Sequence, residues 1–430
     1  MRLSGGCRWA LVAMLAAAAP AGAAQVIAPR DSAAALAVAG DGRAFLVSPS
    51  ARPDAGTLPA VRRRSASPGA PFGAPTALMR SSAADRAVDA GVAADGSGVI
   101  VVQSALGVRR SVRAVAFGAR GRLGRPQTLS APRTRADFAA SAVAPSGAAV
   151  VVWFRHRGAR WRLEAATREP ASARFGPPEP VSGFVRRPCC TSVSVAIGAR
   201  GDAAATWTST AHPAVWAALR SARHRFGAPR LLARAASDAP SAAVGDRGTV
   251  ALIYSTQHVP LRAADGLQLR RAQGADAFGP AEHVNPGGGV TIADAAVTPA
   301  GGVLLAWRDQ VHGARVHLSE AAPGQPLAAV GELGGDVSAK HIAVAADDDG
   351  RAVVAWSQRV SARREQVLAA QRPAAGAPFG TPIALGTAWP AAEAGPARLV
   401  PTGGALVAWN GARFGRPAQR GSALLVTRLR

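Results

Sequence analysis

Cysteine is almost missing from this chain of 430 residues, with Cys7, Cys189 and Cys190 the full set. Cys189 and Cys190 are neighbours, and adjacent Cα atoms lie closer than an ordinary disulfide spans. The pair therefore forms a strained vicinal bridge, joins another chain or stays as two thiols; it is not the staple of the fold. Tyrosine occurs once, at Tyr254, and lysine once, at Lys340. Acidic residues number 26 against 50 basic ones, a formal net charge of +24 carried almost wholly by arginine. The eight histidines show no H-x-H or H-E-x-x-H spacing, so no metal site is expected. Asp347-Asp348-Asp349-Gly350 lacks the alternating ligands and distal Glu of a calcium loop and reads as a plain hairpin turn. No phosphate loop or nucleophile motif stands out, and no cofactor is implied. With 47 glycines and 32 prolines the chain falls short of the roughly 25–30% of a disordered Gly/Pro sequence.

The first 24 residues do contain an apolar run, Trp9 to Ala19, behind Arg2 and Arg8 and ahead of Ala21-Gly22-Ala23. This is the layout of a cleaved secretory signal, cut after Ala23 or Ala24. The run is shorter than the roughly 20 residues that cross a bilayer, and no later run reaches that length. The expected division is a signal peptide at 1–24 and one domain at 25–430, secreted or held at the cell envelope.

What the chain has in abundance is repetition. A turn glycine is followed six residues later by an aromatic in SGAAVVVW (Gly147, Trp153), RGDAAATW (Gly201, Trp207), RGTVALIY (Gly248, Tyr254), AGGVLLAW (Gly301, Trp307), DGRAVVAW (Gly350, Trp356) and TGGALVAW (Gly403, Trp409). Worn copies at Gly42 and Gly96 bring the total to eight, with a mean period of about 52 residues. A second signature, F-G-x-P-x-x-L or a close variant, follows the turn glycine by about 30 residues in each full copy, as at Phe72, Phe175, Phe226, Phe278 and Phe379. Each unit reads as four short strands: the first and second meet at the turn glycine, and the fourth carries a proline suited to an outer edge. Many four-stranded units of this length predict an all-β fold, a β-propeller of about eight four-stranded blades, with seven if one worn copy is not a blade. The last unit ends at GSALLVTRLR without a fourth strand of its own. The mature N-terminus, AQVIAPRDS, is expected to supply it and close the ring.

The six ring aromatics, filled once per unit, are expected to pack between blades. Trp161, Trp216 and Trp389 fall outside that position; packing is the simpler reading, and a surface contact is the alternative. Arginine recurs late in the third strand (Arg168, Arg220, Arg270, Arg372, Arg428) and before the F-G motif (Arg122, Arg174, Arg225, Arg413). Such placement gives either a ring of positive potential for anionic polymers or ordinary solvated faces, the simpler reading. A sialidase-type propeller would need a tyrosine nucleophile and S-x-D-x-G-x-x-W turns. Here the lone tyrosine sits in the ring position and those turns are absent.

Written out, the unit V-A-V-A-x-D-G-x-A-V-V-A-W followed by F-G-x-P-x-x-L resembles secreted β-propeller-repeat proteins of high-GC bacteria. The resemblance spans nearly the whole mature chain and implies an architecture rather than an activity. The expected function is a non-enzymatic binding scaffold, with a carbohydrate-active hydrolase or lyase as the alternative, recognised by two or three carboxylates gathered at one channel mouth. The candidate contact residues are Arg186, Arg187, Cys189 and Cys190, in the most unusual of the interblade loops. An anionic envelope polysaccharide or another protein is the expected partner; nucleic acid fits poorly with export, and a monomer is expected.

Overall fold

The computed structural model describes residues 25–429 except 30–34, 50–59, 81–84, 107–108, 121, 133, 171, 187–191, 210–213, 235–239, 257–264, 286–291, 309–314, 336–341, 390, 401–402 and 413–422. Within these residues the chain is all strand and turn, with no helix. The strands form eight antiparallel sheets, each a blade of four strands in radial order; one blade carries an extra two-residue strand. Together they make a closed β-propeller.

Blade 3 shows the plan. Its innermost strand is Arg135–Val143, followed by Ala149–Arg157, Arg160–Arg168 and an outermost Glu179–Pro180. Second strands such as AVVVWF (149–154) are apolar at every position rather than alternating, because each blade has a neighbour on both faces. Innermost strands alternate less clearly and stay half-buried, as in Ser241–Val244 and Ile292–Val297, since their free edges line the axial channel. Eight apolar clusters join the blades, each straddling one interface. The cluster of Leu36, Leu46 and Phe72 with Leu406, Ala408 and Val426 joins blade 8 to blade 1. The covalent closure agrees with it: Gln25–Pro29 pairs antiparallel with Ala423–Leu429 and completes blade 8.

The turn glycines do what the repeat requires. In blade 3 the Gly147 N–H donates to Ala144 O at 2.9 Å and the Ala144 N–H to Ala148 O at 2.8 Å, a type I turn closed by a left-handed residue. The other seven blades repeat this pair of bonds, and the eight glycines have φ between +75° and +100°. A side chain at that position would be strained. The F-G glycine works differently: its N–H donates to the third strand, as from Gly176 to Thr167 O at 2.8 Å, and so sets the start of the outermost strand.

Ring aromatics and F-G phenylalanines pack together against the preceding blade. Trp153 and Phe175 lie with Val99, Val101 and Val112 of blade 2, and Trp356 and Phe379 lie with Leu304 and Leu318 of blade 6. The third-strand arginines are not a solvent-facing stripe. Arg168, Arg220 and Arg372 are buried and donate to the carbonyls of their own turn glycines, Gly147 (2.8 Å), Gly201 (2.7 Å) and Gly350 (2.9 Å). Arg372 also grips Glu320 of blade 6 with two bonds of 2.6 and 2.7 Å, and Arg220 reaches Glu169 of blade 3 at 3.3 Å. A guanidinium supplies several planar donors on a long apolar stem, so it can bridge blades where a solvated charge was expected. Arg270 instead donates to the Tyr254 hydroxyl at 3.1 Å.

Candidate functional site

The two ends of the ring differ. One end is paved by the eight glycine turns and the third-to-fourth strand turns. The other carries the second-to-third strand loops and the interblade loops, whose lengths vary from blade to blade. Variable loops on a fixed scaffold are the usual carriers of recognition.

At this loop-bearing end a cleft of about 340 Å³ opens between blades 3 and 4. Trp161 enters it from the start of the third strand of blade 3. Trp207 and Trp216 face it from blade 4, directly opposite one another on the second and third strands. The wall is completed by Val185, Pro229, Leu231 and Ala214, with Ser182, Ser209 and Arg234 among the polar side chains. Trp161 is held by an edge-on contact with Phe154 (4.8 Å, 82°), and Phe154 in turn meets Phe138 (6.4 Å, 74°). Trp207 is the ring aromatic of its blade and is buried; Trp216 is half-buried. The residue opposite the ring aromatic is Glu164 in blade 3, Gln268 in blade 5, His317 in blade 6, Leu368 in blade 7 and Leu425 in blade 8. Blade 4 places a second indole there.

Two of the three off-ring tryptophans thus meet at one place. Trp389 does not join them: its backbone bridges to Glu365 (2.7 and 2.8 Å), and its ring packs in the blade 7–8 cluster. Val185 and Arg186 form the short extra strand paired with Arg160 and Trp161, so the loop singled out in the sequence leaves from the rim of the cleft. Arg187, Cys189 and Cys190 lie outside the described residues. Sequence reasoning missed Ser209, Arg234 and Val185, which carry no repeat signal of their own.

Among the described residues, four carboxylates near the channel and the loop-bearing end are engaged in structure. Asp137 is buried and contacts Arg135 (2.7 Å), His156 (3.2 Å), Gln103 (3.3 Å) and Arg110. Burial pushes its carboxyl up, but these partners outweigh burial and hold it well below the usual range. The next residue, Phe138, has φ +51° and is half exposed, on a bulge of the innermost strand. Glu164 is clasped by Arg155 (3.1 Å) and Arg162 (2.6 Å). On the innermost strands Asp89 accepts the Ser141 N–H and hydroxyl (2.7 and 2.9 Å), and Asp294 accepts the Val344 N–H at 3.0 Å. Both aspartates stand seven residues before their turn glycine, where Ser194 likewise accepts from Ala242 at 3.3 Å. They tie the free edge of one blade to the next. Burial raises both carboxyls, Asp294 to about 6, against the N–H bonds and the charge of Arg398. Arg398 lies two blades away on the innermost strand of blade 8, so it acts on Asp294 across the channel. Among the described residues no three His, Cys, Asp or Glu side chains gather as a metal-binding group, and no helix is long and apolar enough to cross a membrane.

No family model matches the chain, and no curated protein matches it. Solved structures share the general architecture. A protein of unknown function from Dyadobacter fermentans DSM 18053 is 13% identical at a TM-score of 0.40, covering 73% of this chain and 97% of that one. A polysaccharide lyase is 7% identical (TM-score 0.44; 92% and 89% covered), and an ulvan lyase described as a new family of polysaccharide lyase is 9% identical (TM-score 0.45; 82% and 92%). At these values the likeness carries no argument about activity, and the chain is placed by its fold as an eight-bladed β-propeller.

Proposed function

We propose that this propeller is an exported binding module that takes its ligand on the loop-bearing end, in the cleft between blades 3 and 4. The observation that carries the reading is the convergence of Trp161, Trp207 and Trp216 on one open concavity. Trp161 and Trp207 are themselves buried and form the floor and wall, while Trp216 is half-buried and leaves indole area facing the cleft for a ligand. A hydrolase or lyase would need carboxylates set for proton transfer. Among the described residues Asp137 and Glu164 are fixed by arginines, and Asp89 and Asp294 hold blade edges, which supports binding rather than turnover at these four. Export rests on the N-terminal pattern, and N-terminal sequencing of protein recovered outside the cell should find a chain starting near residue 24 or 25.

The test uses phenylnaphthylamine, a neutral dye that brightens in apolar sites. It should bind the wild-type protein, and both Ser209→Phe, which fills the mouth of the cleft, and Trp216→Ala should abolish the signal. Equal brightening in wild type and both variants would sink the reading.

A further inference from the structure

We infer that the loop-bearing end carries a second site, a groove between blades 2 and 3 that binds an acidic polysaccharide, a linear sugar polymer bearing sulfate or carboxylate groups. The site is separate from the cleft and does not depend on it.

The two faces of one hairpin carry different chemistry. In Ala149–Arg157 and Arg160–Arg168 of blade 3, side chains alternate between the faces. Phe154 and Trp161 turn toward blade 4 and the cleft, whereas Trp153 packs on blade 2, and Arg155 and Arg157 follow it on that side. The residues facing those two arginines are also arginines: Arg155 stands opposite Arg162, and Arg157 opposite Arg160. Like charges set directly opposite one another destabilise a sheet. The matching hairpin of blade 7 avoids this by setting Arg359 opposite Glu365.

Two buried carboxylates hold arginines in place without neutralising them. Glu164 accepts from Arg155 at 3.1 Å and from Arg162 at 2.6 Å. Asp137 accepts from Arg135 at 2.7 Å and from Arg110, which reaches over from the third strand of blade 2, Arg109–Phe117. Each carboxylate is 3% exposed and fixes two guanidinium groups, so each trio keeps one positive charge in excess, on arginines that stay 23–50% exposed. Arg162 is steadied further by lying over the Phe184 ring at 4.7 Å. Arg157 and Arg160 are exposed at the tip and meet no carboxylate among the described residues. Asp137 and Glu164 lie on the first and third strands of the blade, two strand spacings or about 10 Å apart, which suits successive charges on one polymer better than a single ion. The stretches 85–87, 103–110, 133–138, 153–164 and 184–191, which form or adjoin these strand ends in sequence, contain eleven arginines and three acids, Asp85, Asp137 and Glu164. The local balance favours an anion with every one of these residues counted. The large apolar side chains exposed on this blade, Phe138 and Val185, belong to the cleft face. Among the described side chains the groove therefore offers charge without an exposed ring to stack a base or an apolar pocket for a peptide side chain, while the hydroxyls of a sugar chain keep their water at its open surface.

The experiment is a calorimetric titration of the full mature chain with dextran sulfate, neutral dextran, polyglutamate, a single-stranded DNA oligonucleotide and inorganic sulfate, at about 0.15 M salt. Dextran sulfate should bind, and neutral dextran should not. Arg157→Gln/Arg160→Gln should weaken dextran sulfate by at least about tenfold, whereas Arg359→Gln/Arg363→Gln, which removes the same charge from the exposed tip of blade 7, should change it less than about twofold. Circular dichroism establishes that each variant folds. The melting temperature of the blade 3 variant should hold or rise as the facing charges are relieved, and Arg157→Gln alone serves if the double variant does not fold. Phenylnaphthylamine should brighten as before with the blade 3 variant, so the groove and the cleft succeed or fail separately. Equal weakening by the blade 3 and blade 7 variants would assign the binding to the general field of the chain and overturn the site. Stronger binding of DNA or polyglutamate, lost in the blade 3 variant, overturns the ligand class and leaves the groove. Displacement of dextran sulfate by an equal charge of inorganic sulfate overturns the polymer in favour of a single-ion site, and silence from every probe overturns the proposal outright.

Discussion

Arg372 offers the sharpest test of how the ring is held. Its side chain is 3% exposed, makes two parallel bonds to Glu320 of the preceding blade, caps the Gly350 carbonyl and lies over the Phe379 ring at 5.4 Å. Arg372→Ala removes all of these together. Breaking a buried pair by deleting one partner costs roughly 3–5 kcal/mol. Glu320 is 29% exposed and partly regains water, which moves the expectation toward about 3–4 kcal/mol. With an unfolding entropy of roughly 2.1 cal/mol/K per residue, a ring unfolding as one unit loses about a degree per 0.9 kcal/mol, so the melting temperature should fall by about 3–5 °C. The assay is differential scanning calorimetry beside Arg363→Ala, an exposed control expected to stay within about 0.5 kcal/mol of wild type. Arg372→Lys should recover only part of the loss, because an ammonium cannot keep two parallel bonds to one carboxylate. A melting temperature for Arg372→Ala within a degree of the control would refute the clamp.

Two further outcomes follow from the innermost and outermost strands. Asp294 has its carboxyl raised to about 6 from 3.8, so the folded state holds its proton more tightly than the unfolded chain, and stability from this group falls as pH rises from about 4 to 6. Asp294→Asn keeps an acceptor for the Val344 N–H and should match wild type at pH 4 but exceed it by about 1–3 kcal/mol at pH 8; urea unfolding at both values checks this, and equal stability at pH 8 would count against it. Deleting residues 25–29 should strip the outermost strand from blade 8, lower the melting temperature and promote self-association through the bared edge of Ala423–Leu429. Light scattering reads the second effect, and a deleted chain as monomeric and stable as the whole would show the closure to be dispensable.

The repeat was legible because its positions have narrow chemical requirements. A left-handed turn residue demands glycine, so all eight hairpins could be placed from the sequence, and with them the blade count and the strand that closes the ring. The arginines were legible as recurrent but not as buried. Their burial depends on partners one repeat away, Glu169 for Arg220 and Glu320 for Arg372, and that spacing of 51 and 52 residues is itself a signal of the period. The cleft was half legible. Trp161 and Trp216 stood out as departures from the repeat, but facing each other requires strand directions and blade packing that periodicity does not supply. Ser209 and Arg234 had no signal, since a serine at a strand end and an arginine in an arginine-rich chain look like any surface.

Repetition and function pull in opposite directions in such a ring. Positions that recur from blade to blade serve closure: turn glycines in all eight, and in most or several of them ring aromatics, the F-G glycine and polar groups on the inner edge. A ligand site has to lie where one blade breaks the pattern without loosening its neighbours. Blade 4 does this where the ring aromatic faces the third strand. Trp216 stands opposite Trp207, while the small Ser209 and Ala214, paired at the strand ends, leave room above the two indoles. The interface below that point is unbroken, with Ala203, Ala205, Val150, Val152 and Leu163 packed in one cluster. The cleft is therefore open at its mouth and closed at its base, and the side chains that shape it are free to differ from those of the other blades at little cost to the ring.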